Sequence, residues 1–399
     1  MINNIRIYFR DLLKNLTSRY LKRKSLFTKK NTLLIVRIDA IGDYVLFRNF
    51  IKIIKESERF KKYEITFLGN KIWKDLAEKF DSNYIDKFIW IDTNNFFKKS
   101  EWAHTFSILF KLHNSGFETI IIPNDTRNWR SEYIVNHTGA KNIIMDKNDS
   151  FFSRNGSDTS VQYSHNGTNR NPLNSIFQFY RNKSFTEKLI RSSISIQKPF
   201  FEIERGDKLS DITDTEYIVV FPGASHIKKM WAAENFGILC KMIRDVKDIN
   251  ILICGSDSDK ASAKKILKIS GVKNIEDKTR DGSLLELIEI ISKAKLLITN
   301  DTCALHIGAA LNTNTICITN GYHFGRFHPY PEDMLGYIKT IYPDKNLIIN
   351  GNFELLAKKF HLSSELDINL ISPEEVFHSV SEFLQTDKQK EQLLNRAIE

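Results

Sequence analysis

The sequence predicts two α/β domains in tandem, each an open sheet of mostly parallel strands wrapped by helices. Three observations carry that prediction. Short apolar runs suited to buried strands alternate with segments of helical periodicity in both halves of the chain. The alternation stops between about 148 and 215 and then restarts. The 399 residues are enough for two domains of about 200 residues, each with its own core.

In the first half, LLIVRI (33–38) reads as a buried strand, and Val45, Phe47, Phe50, Ile51 and Ile54 then recur at helical intervals. EITFLG (64–69) reads as a second strand, followed by a helix near 71–80. FIWID (88–92) is a third strand, 102–116 a helix and ETIIIPN (118–124) a fourth strand. Right-handed crossovers would join them. From about 148 to 175 the chain is rich in Asn, Ser and Gly, and a mobile surface loop, an acceptor-side loop or a long insertion is expected. A helix at 174–191 and a charged connection near 200–215 follow.

The second half repeats the scheme. EYIVVF (216–221), NILICG (250–255), KLLITN (295–300) and TICITN (315–320) are strands, separated by helical segments at 236–245, 257–271, 283–294 and 304–312. Two such domains create a cleft near the carboxyl ends of both sets of strands. The expected divisions are a basic segment 1–30, domains 31–205 and 206–372, and a helix in 373–399 that braces the pair.

Composition is that of a soluble globular protein, 42% hydrophobic and 27% charged. Cys240, Cys254, Cys303 and Cys317 are scattered, which fits free thiols in a reducing compartment better than a disulfide framework or a zinc site. No apolar run approaches the roughly 18 residues of a membrane span, and residues 1–30 lack a signal-peptide h-region. A cytoplasmic location is expected.

Net charge is +10, and residues 1–30 hold nine basic side chains against one acid. Ile5, Phe9, Leu12, Leu13, Leu16 and Tyr20 recur there at helical spacing. Such a helix can tether the protein to an anionic membrane surface, on the inner face of the cytoplasmic membrane, or pack on the first domain. Nucleic acid is not an expected partner, because the charge is not interleaved with aromatics in a recognisable module.

Between the first strand and helix lies DAIGD (39–43). It matches no dinucleotide glycine fingerprint, and the chain has no GxxxxGK[ST] loop, which argues against a nicotinamide-dependent oxidoreductase. Gly42 suits a sharp turn, and Asp43 falls at or next to a helix N-terminus. Asp43 is therefore either an N-cap, worth about 1 kcal/mol, or a general base held at the cleft. Asp39 ends the strand and is the weaker candidate.

A second stretch, VVFPGASHIKKMWAAENF (219–236), opens from a strand through small residues that allow close approach of a ligand. Ser225 can donate a hydrogen bond, Lys228 or Lys229 can neutralise a phosphate, and Trp231 looks like the start of a helix covering the site. The bland alternative is a surface turn with solvated lysines. In LLITNDTCALHIGAALNT (296–313), backbone N–H groups around 302–304 would receive an anion. Asp301 would hold the loop or bind sugar hydroxyls, and His306 would donate to a diphosphate or simply pack. NGYHFGRFHPYP (320–331) adds His323, Arg326 and His328 as contacts for a nucleotide-sugar or an anionic acceptor. No HExxH motif or Cys/His cluster marks a metal site, so lysines, a histidine and helix N-termini would have to stabilise a departing diphosphate.

Taken in order and spacing, Asp39–Asp43, Pro222–Trp231 and Asn300–Ala310 resemble the motifs of glycosyltransferase family 9, the ADP-heptose:lipopolysaccharide heptosyltransferase family, over roughly residues 31–345. The resemblance implies a GT-B fold, with the acceptor on the first Rossmann-like domain, the nucleotide-sugar on the second, and inverting transfer between them without metal or cofactor. It places the catalytic aspartate on Asp43, the phosphate-binding lysine on Lys229 and the diphosphate- and sugar-binding loop on Asp301, Thr302, Cys303 and His306. Read from the residues themselves, Gly42, Asp39, Lys228, His323, Arg326 and His328 are further candidates for contact with donor or acceptor. The implied donor is ADP-heptose, and the implied acceptor a glycan or glycolipid of the lipopolysaccharide core or another surface glycan. Cys303 stands where many members have glycine, and the 148–175 stretch differs from the best-known members. The alternative is a nucleotide-sugar or polyanion-binding module with a degenerate, non-catalytic turn.

Overall fold

The computed structural model describes residues 19–21, 27–96, 98–123, 129–140, 142–147, 150–155, 157–161, 177–203, 215–280, 282–332, 334 and 336–384. Most of the basic segment 1–30, the end of the 148–175 stretch, most of the 200–215 connection and the continuation of the C-terminal helix beyond 384 lie outside the described residues. The chain divides into two compact units, Met1–Asn169 with Phe179–Ser195, and Arg170–Gln178 with Ile196–Glu399.

The first unit carries strands β1 (Lys29–Arg37), β2 (Glu64–Asn70), β3 (Lys87–Ile91), β4 (Phe117–Ile122), β5 (Asn142–Lys147), β6 (Ser150–Asn155) and β7 (Ser157–Val161). Its helices are α1 (Ile41–Phe47), α2 (Asn49–Glu56), α3 (Lys74–Phe80), α4 (Trp102–Asn114), α5 (Trp129–Asn136) and α6 (Gln178–Ile190). The strand order is β3-β2-β1-β4-β5-β6-β7. The first five are parallel, and β6 and β7 add antiparallel to β5. The expected loop at the start of 148–175 is thus in part a two-stranded extension of the sheet, hidden in the sequence because its polar residues carry no apolar alternation. Leu33 to Val36 are fully buried, as a central strand covered on both faces requires. Tyr20 rests on Phe110 and His113 of α4, and Leu21 joins the core beneath them, so this part of the N-terminal segment packs on the first unit.

The second unit repeats the order as β10-β9-β8-β11-β12-β13, parallel throughout. Its strands are β8 (Tyr217–Phe221), β9 (Asn250–Ile253), β10 (Ile275–Asp277), β11 (Leu296–Asn300), β12 (Thr315–Ile318) and β13 (Ile338–Ile341). The helices are α7 (Ala233–Val246), α8 (Lys260–Ser270), α9 (Leu284–Lys293), α10 (Cys303–Leu311), α11 (Lys345–Asn350), α12 (Phe353–Lys359) and α13 (Pro373–Leu384). Val376 and Val380 of α13 sit in the core of this unit with Trp231, Phe236 and Ile318. Trp231 therefore does not open a helix over the site: it lies before α7, buried, with its indole N–H on the Ile371 carbonyl at 2.9 Å.

In each sheet the chain runs outward in opposite directions from a central pair, β1/β4 and β8/β11. The loops leaving the carboxyl ends of such a pair diverge and open a crevice, where α/β proteins bind ligands. In the first unit a stack of aromatics supports this end. Tyr44 lies flat on Trp73 at 4.2 Å, and Trp73 meets Trp90 edge-on at 5.4 Å. A side chain on Gly69 would put Cβ 2.5 Å from both indoles. Gly69→Ala is expected to destabilise the protein by about 1–3 kcal/mol through overpacking, read as a lower midpoint in urea; an unchanged midpoint would show that the indoles can move aside.

Candidate active site

The second unit builds its crevice from two loops tied together by asparagines. Asn300, fully buried at the end of β11, donates to the Pro222 carbonyl at 2.7 Å and accepts from the Trp231 N–H at 3.2 Å. Asn320, just beyond β12, donates to the Lys228 carbonyl at 2.9 Å. The 222–231 loop is thereby held against the ends of β11 and β12. Neither asparagine stood out as a functional candidate, although Ile-Thr-Asn closes both TICITN and KLLITN. Ser225 and Lys228 lie on the exposed outer part of this loop, and Lys229 is turned inward. At Gly223 the small residue makes room for protein: an added Cβ would fall 2.7 Å from the Asp259 carboxylate, which belongs to a capping box with Ser256.

Lys229 is the cation of the crevice. Its side chain is 11% exposed, and Nζ stands 2.5 Å from Asp301 Oδ2 and over the Tyr322 ring at 5.4 Å. Burial is the largest single influence and would raise the Asp301 carboxyl, but the Lys229 ammonium together with His328 and His306 holds the group below the usual carboxylate range. His328 is fully buried, 3.8 Å from the same carboxylate oxygen. Its Nε2 lies 2.8 Å from the Tyr322 carbonyl, so Nε2–H donates there and Nδ1 accepts from the Tyr342 hydroxyl at 3.1 Å. Burial lowers its pKa. His306 has Nδ1 2.7 Å from the Tyr330 hydroxyl, and burial brings its pKa down to about 4. His323, in the left-handed region at φ 68°, stacks on Tyr322, and burial followed by the Arg326 charge takes it to about 3. All three imidazoles are therefore neutral at pH 7. They can hydrogen-bond an anion but contribute no charge.

Thr302 caps α10 through its side chain, which accepts from the Ala304 N–H at 3.1 Å, and the Asp301 N–H is taken by the Ile318 carbonyl at 3.2 Å. The anion-receiving amides of the 302–304 turn narrow to those of Thr302 and Cys303. Packing around the Cys303 sulfur pushes its thiol up to about 11. Arg326 is buried, with Nε on Gln178 Oε1 at 3.0 Å and its guanidinium over Phe327.

In the first unit, Asp39 and Asp43 are half-buried at the end of β1 and the start of α1. The N-cap of α1 is Ala40, with no side-chain cap, and Asp43 is the third helical residue. The N-cap reading of Asp43 therefore fails: the turn is completed by Ile38–Ala40, and Gly42 lies buried inside the helix. The Asp39 carboxylate pairs with the buried Arg37 guanidinium at 3.1 Å. Lys229, Asp301, Thr302, Cys303, His306, His323 and His328 gather in the second unit, and Asp39, Gly42 and Asp43 in the first. Among the described residues no group of three or more His, Cys, Asp and Glu side chains is placed to hold a metal ion, and no helix is long and apolar enough to cross a membrane.

Two Rossmann-like units, each with its crevice at the end of a central strand pair, give the chain the two-domain α/β architecture of the GT-B fold. The family model described as Glycosyltransferase family 9 (heptosyltransferase) matches residues 176–367 of the chain. No curated protein matches the chain in sequence. Among solved structures it is similar to a glycosyl transferase family 9 protein from Veillonella parvula DSM 2008, at 16% identity and TM-score 0.63, covering 90% of this chain and 99% of that one. It is also similar to E. coli ADP-heptose lps heptosyltransferase II, at 12% identity and TM-score 0.59, covering 88% and 98%. E. coli heptosyltransferase WaaC with ADP gives 14% and 0.62, covering 88% and 99%. At these identities the likeness shows the fold.

His306 provides a test of the crevice. The unfolded chain takes a proton on this imidazole below about 6.5, whereas the folded protein resists it down to about 4. Its contribution to stability is therefore full above pH 6.5, falls as pH drops toward 4, and is lost below that. His306→Gln is expected to flatten the decline in urea midpoint between pH 7 and 4.5; an identical slope in the variant would show that the ring is not buried in its neutral form.

Proposed function

We propose that the protein is an inverting, metal-independent glycosyltransferase that moves a heptose or related sugar from an ADP-activated donor to a hydroxyl of a lipopolysaccharide-core or other surface-glycan acceptor. The observation that carries this reading is the buried Lys229, presented beside the capped N-terminus of α10 at the central crevice of the region that the family 9 model matches. A nucleoside diphosphate suits that setting, since it can take the lysine as a counter-charge and the Thr302 and Cys303 amides as donors. His306 would add a neutral donor, and Ser225 a hydroxyl from the outer loop.

Asp43 would act as the general base. It takes the proton of the acceptor hydroxyl as the oxygen forms a bond to the anomeric carbon, and the carbon–oxygen bond to the diphosphate breaks with its electron pair leaving on the nucleotide. Lys229 and the amides stabilise the charge that develops on the departing group. One displacement inverts the anomeric centre and needs no covalent glycosyl-enzyme. The nine basic residues of the first 30 would favour an anionic membrane surface, where a lipid-linked acceptor resides.

Asp43→Asn is expected to lower turnover of ADP-heptose with a heptose-free core acceptor by at least about a thousandfold, a general-base loss at the upper part of its usual range, while leaving ADP affinity within about threefold. Undiminished turnover would remove Asp43 from the chemistry. Lys229→Ala should weaken ADP binding by about ten- to a hundredfold, or about 1.4–2.7 kcal/mol, in calorimetric titration. Unchanged affinity would place the diphosphate elsewhere.

A further inference from the structure

Arg37 is the last residue of β1, 1% exposed, at the point where β1 and β4 part. A buried guanidinium requires partners on every side, and those of Arg37 are two backbone carbonyls, one carboxylate and an aromatic face. Nη1 donates to the Pro123 carbonyl just after β4 at 2.8 Å, and Nη2 donates to the Asp43 carbonyl in the first turn of α1 at 2.9 Å. Nε faces the Asp39 carboxylate at 3.1 Å, and the plane lies over the Phe47 ring at 4.6 Å. The Asp39 carbonyl in turn receives the Trp73 indole N–H and the Asn70 amide, each at 3.1 Å. The 39–43 turn is held at both ends, and the same side chain spans the mouth of the strand pair.

We infer that Arg37 is a positioning residue for Asp43. Its planar fork ties the backbone of residue 43 to the end of β4, and through Asp39 to the turn, so that the Asp43 carboxylate leaves the helix from a fixed origin. Arg37 does not touch the reacting atoms. A lysine would retain the charge facing Asp39 but has a single ammonium on a flexible stem, and cannot hold the Pro123 and Asp43 carbonyls in the plane that guanidinium sets. A base displaced by about 1 Å loses of order a hundredfold in rate, with little effect on donor binding. This inference assigns Asp39 to a different task from the one expected of it: it neutralises Arg37 and shapes the turn. It rests on Asp43 being the base, and the experiment separates the two.

Arg37→Lys and Arg37→Gln would be compared with wild type and Asp43→Asn in the full chain, using ADP-heptose and a heptose-free core acceptor. The expected result is a fall in kcat of about tenfold to a hundredfold for both Arg37 variants, with KM for ADP-heptose within about threefold and Lys less damaging than Gln. Wild-type kcat in the Arg37 variants, beside an inactive Asp43→Asn, would overturn the positioning role and leave the base intact. If Asp43→Asn turns over normally, the assignment of the base fails instead. Hydrogen exchange is independent of any substrate. The amides of residues 44–47, bonded in the first turns of α1, should exchange at least tenfold faster in the Arg37 variants, and unchanged protection there would overturn the clamp. Gln provides the second variant should Lys fail to fold, since its amide retains a donor for one of the two carbonyls.

Discussion

A buried cation beside a carboxylate, placed where the central strands of a sheet diverge, is the interaction on which both candidate regions depend. In the second unit it is Lys229 with Asp301, and in the first it is Arg37 with Asp39. Removing an ammonium or a guanidinium from water costs several kcal/mol unless it is paired and hydrogen-bonded. Each pair therefore constrains the loop that bears its carboxylate. The two cations serve different ends. Arg37 has its fork occupied by backbone carbonyls and is a fastening. Lys229 is held by one carboxylate and one aromatic face, which leaves it the cation that the proposed diphosphate would claim.

That arrangement alters the expected role of several residues in the second crevice. Asp301 is already committed to Lys229, and under the proposed function a diphosphate drawn to the lysine would compete with it. The histidines lie too deep to be protonated at neutral pH, so the positive potential comes from Lys229 and the amides at the start of α10. The tyrosines Tyr322, Tyr330 and Tyr342 complete the setting by bonding or stacking on those rings. The Tyr322 carbonyl, which can only accept, places the His328 proton on Nε2.

The polar scaffold around the crevice explains how an exposed-looking sequence becomes a shaped site. SHIKK reads as a solvated turn, yet Asn300 and Asn320 draw its backbone down until Lys229 is buried and Lys228 is left outside. Trp231 secures the far end of the loop in the hydrophobic core, through its indole N–H on Ile371 and edge contact with Phe236. Buried amide side chains of this kind are costly unless fully satisfied, and here each is.

The sequence by itself determined the order of eight of the thirteen strands and the location of the candidate loops. LLIVRI, EYIVVF and KLLITN are apolar runs of strand length, and buried parallel strands need that pattern whatever they pack against. DAIGD, PGAS and NDT stand out because each interrupts such a run with acids or small polar residues. Tertiary structure decided what local pattern cannot carry. It set which of two adjacent lysines turns inward, that Asp43 is inside a helix and not its cap, that Asp39 belongs to Arg37, and that the polar 150–161 stretch extends a sheet. Asp39 meets Arg37 two residues before it, and the 150–161 stretch pairs with the neighbouring β5. The first turn and the second loop, in contrast, depend on partners about 30 to 90 residues away in sequence, Asn70 and Pro123 around the one and Asn300 behind the other. Burial and pairing energies come from those distant groups, and no periodicity within a single segment records them.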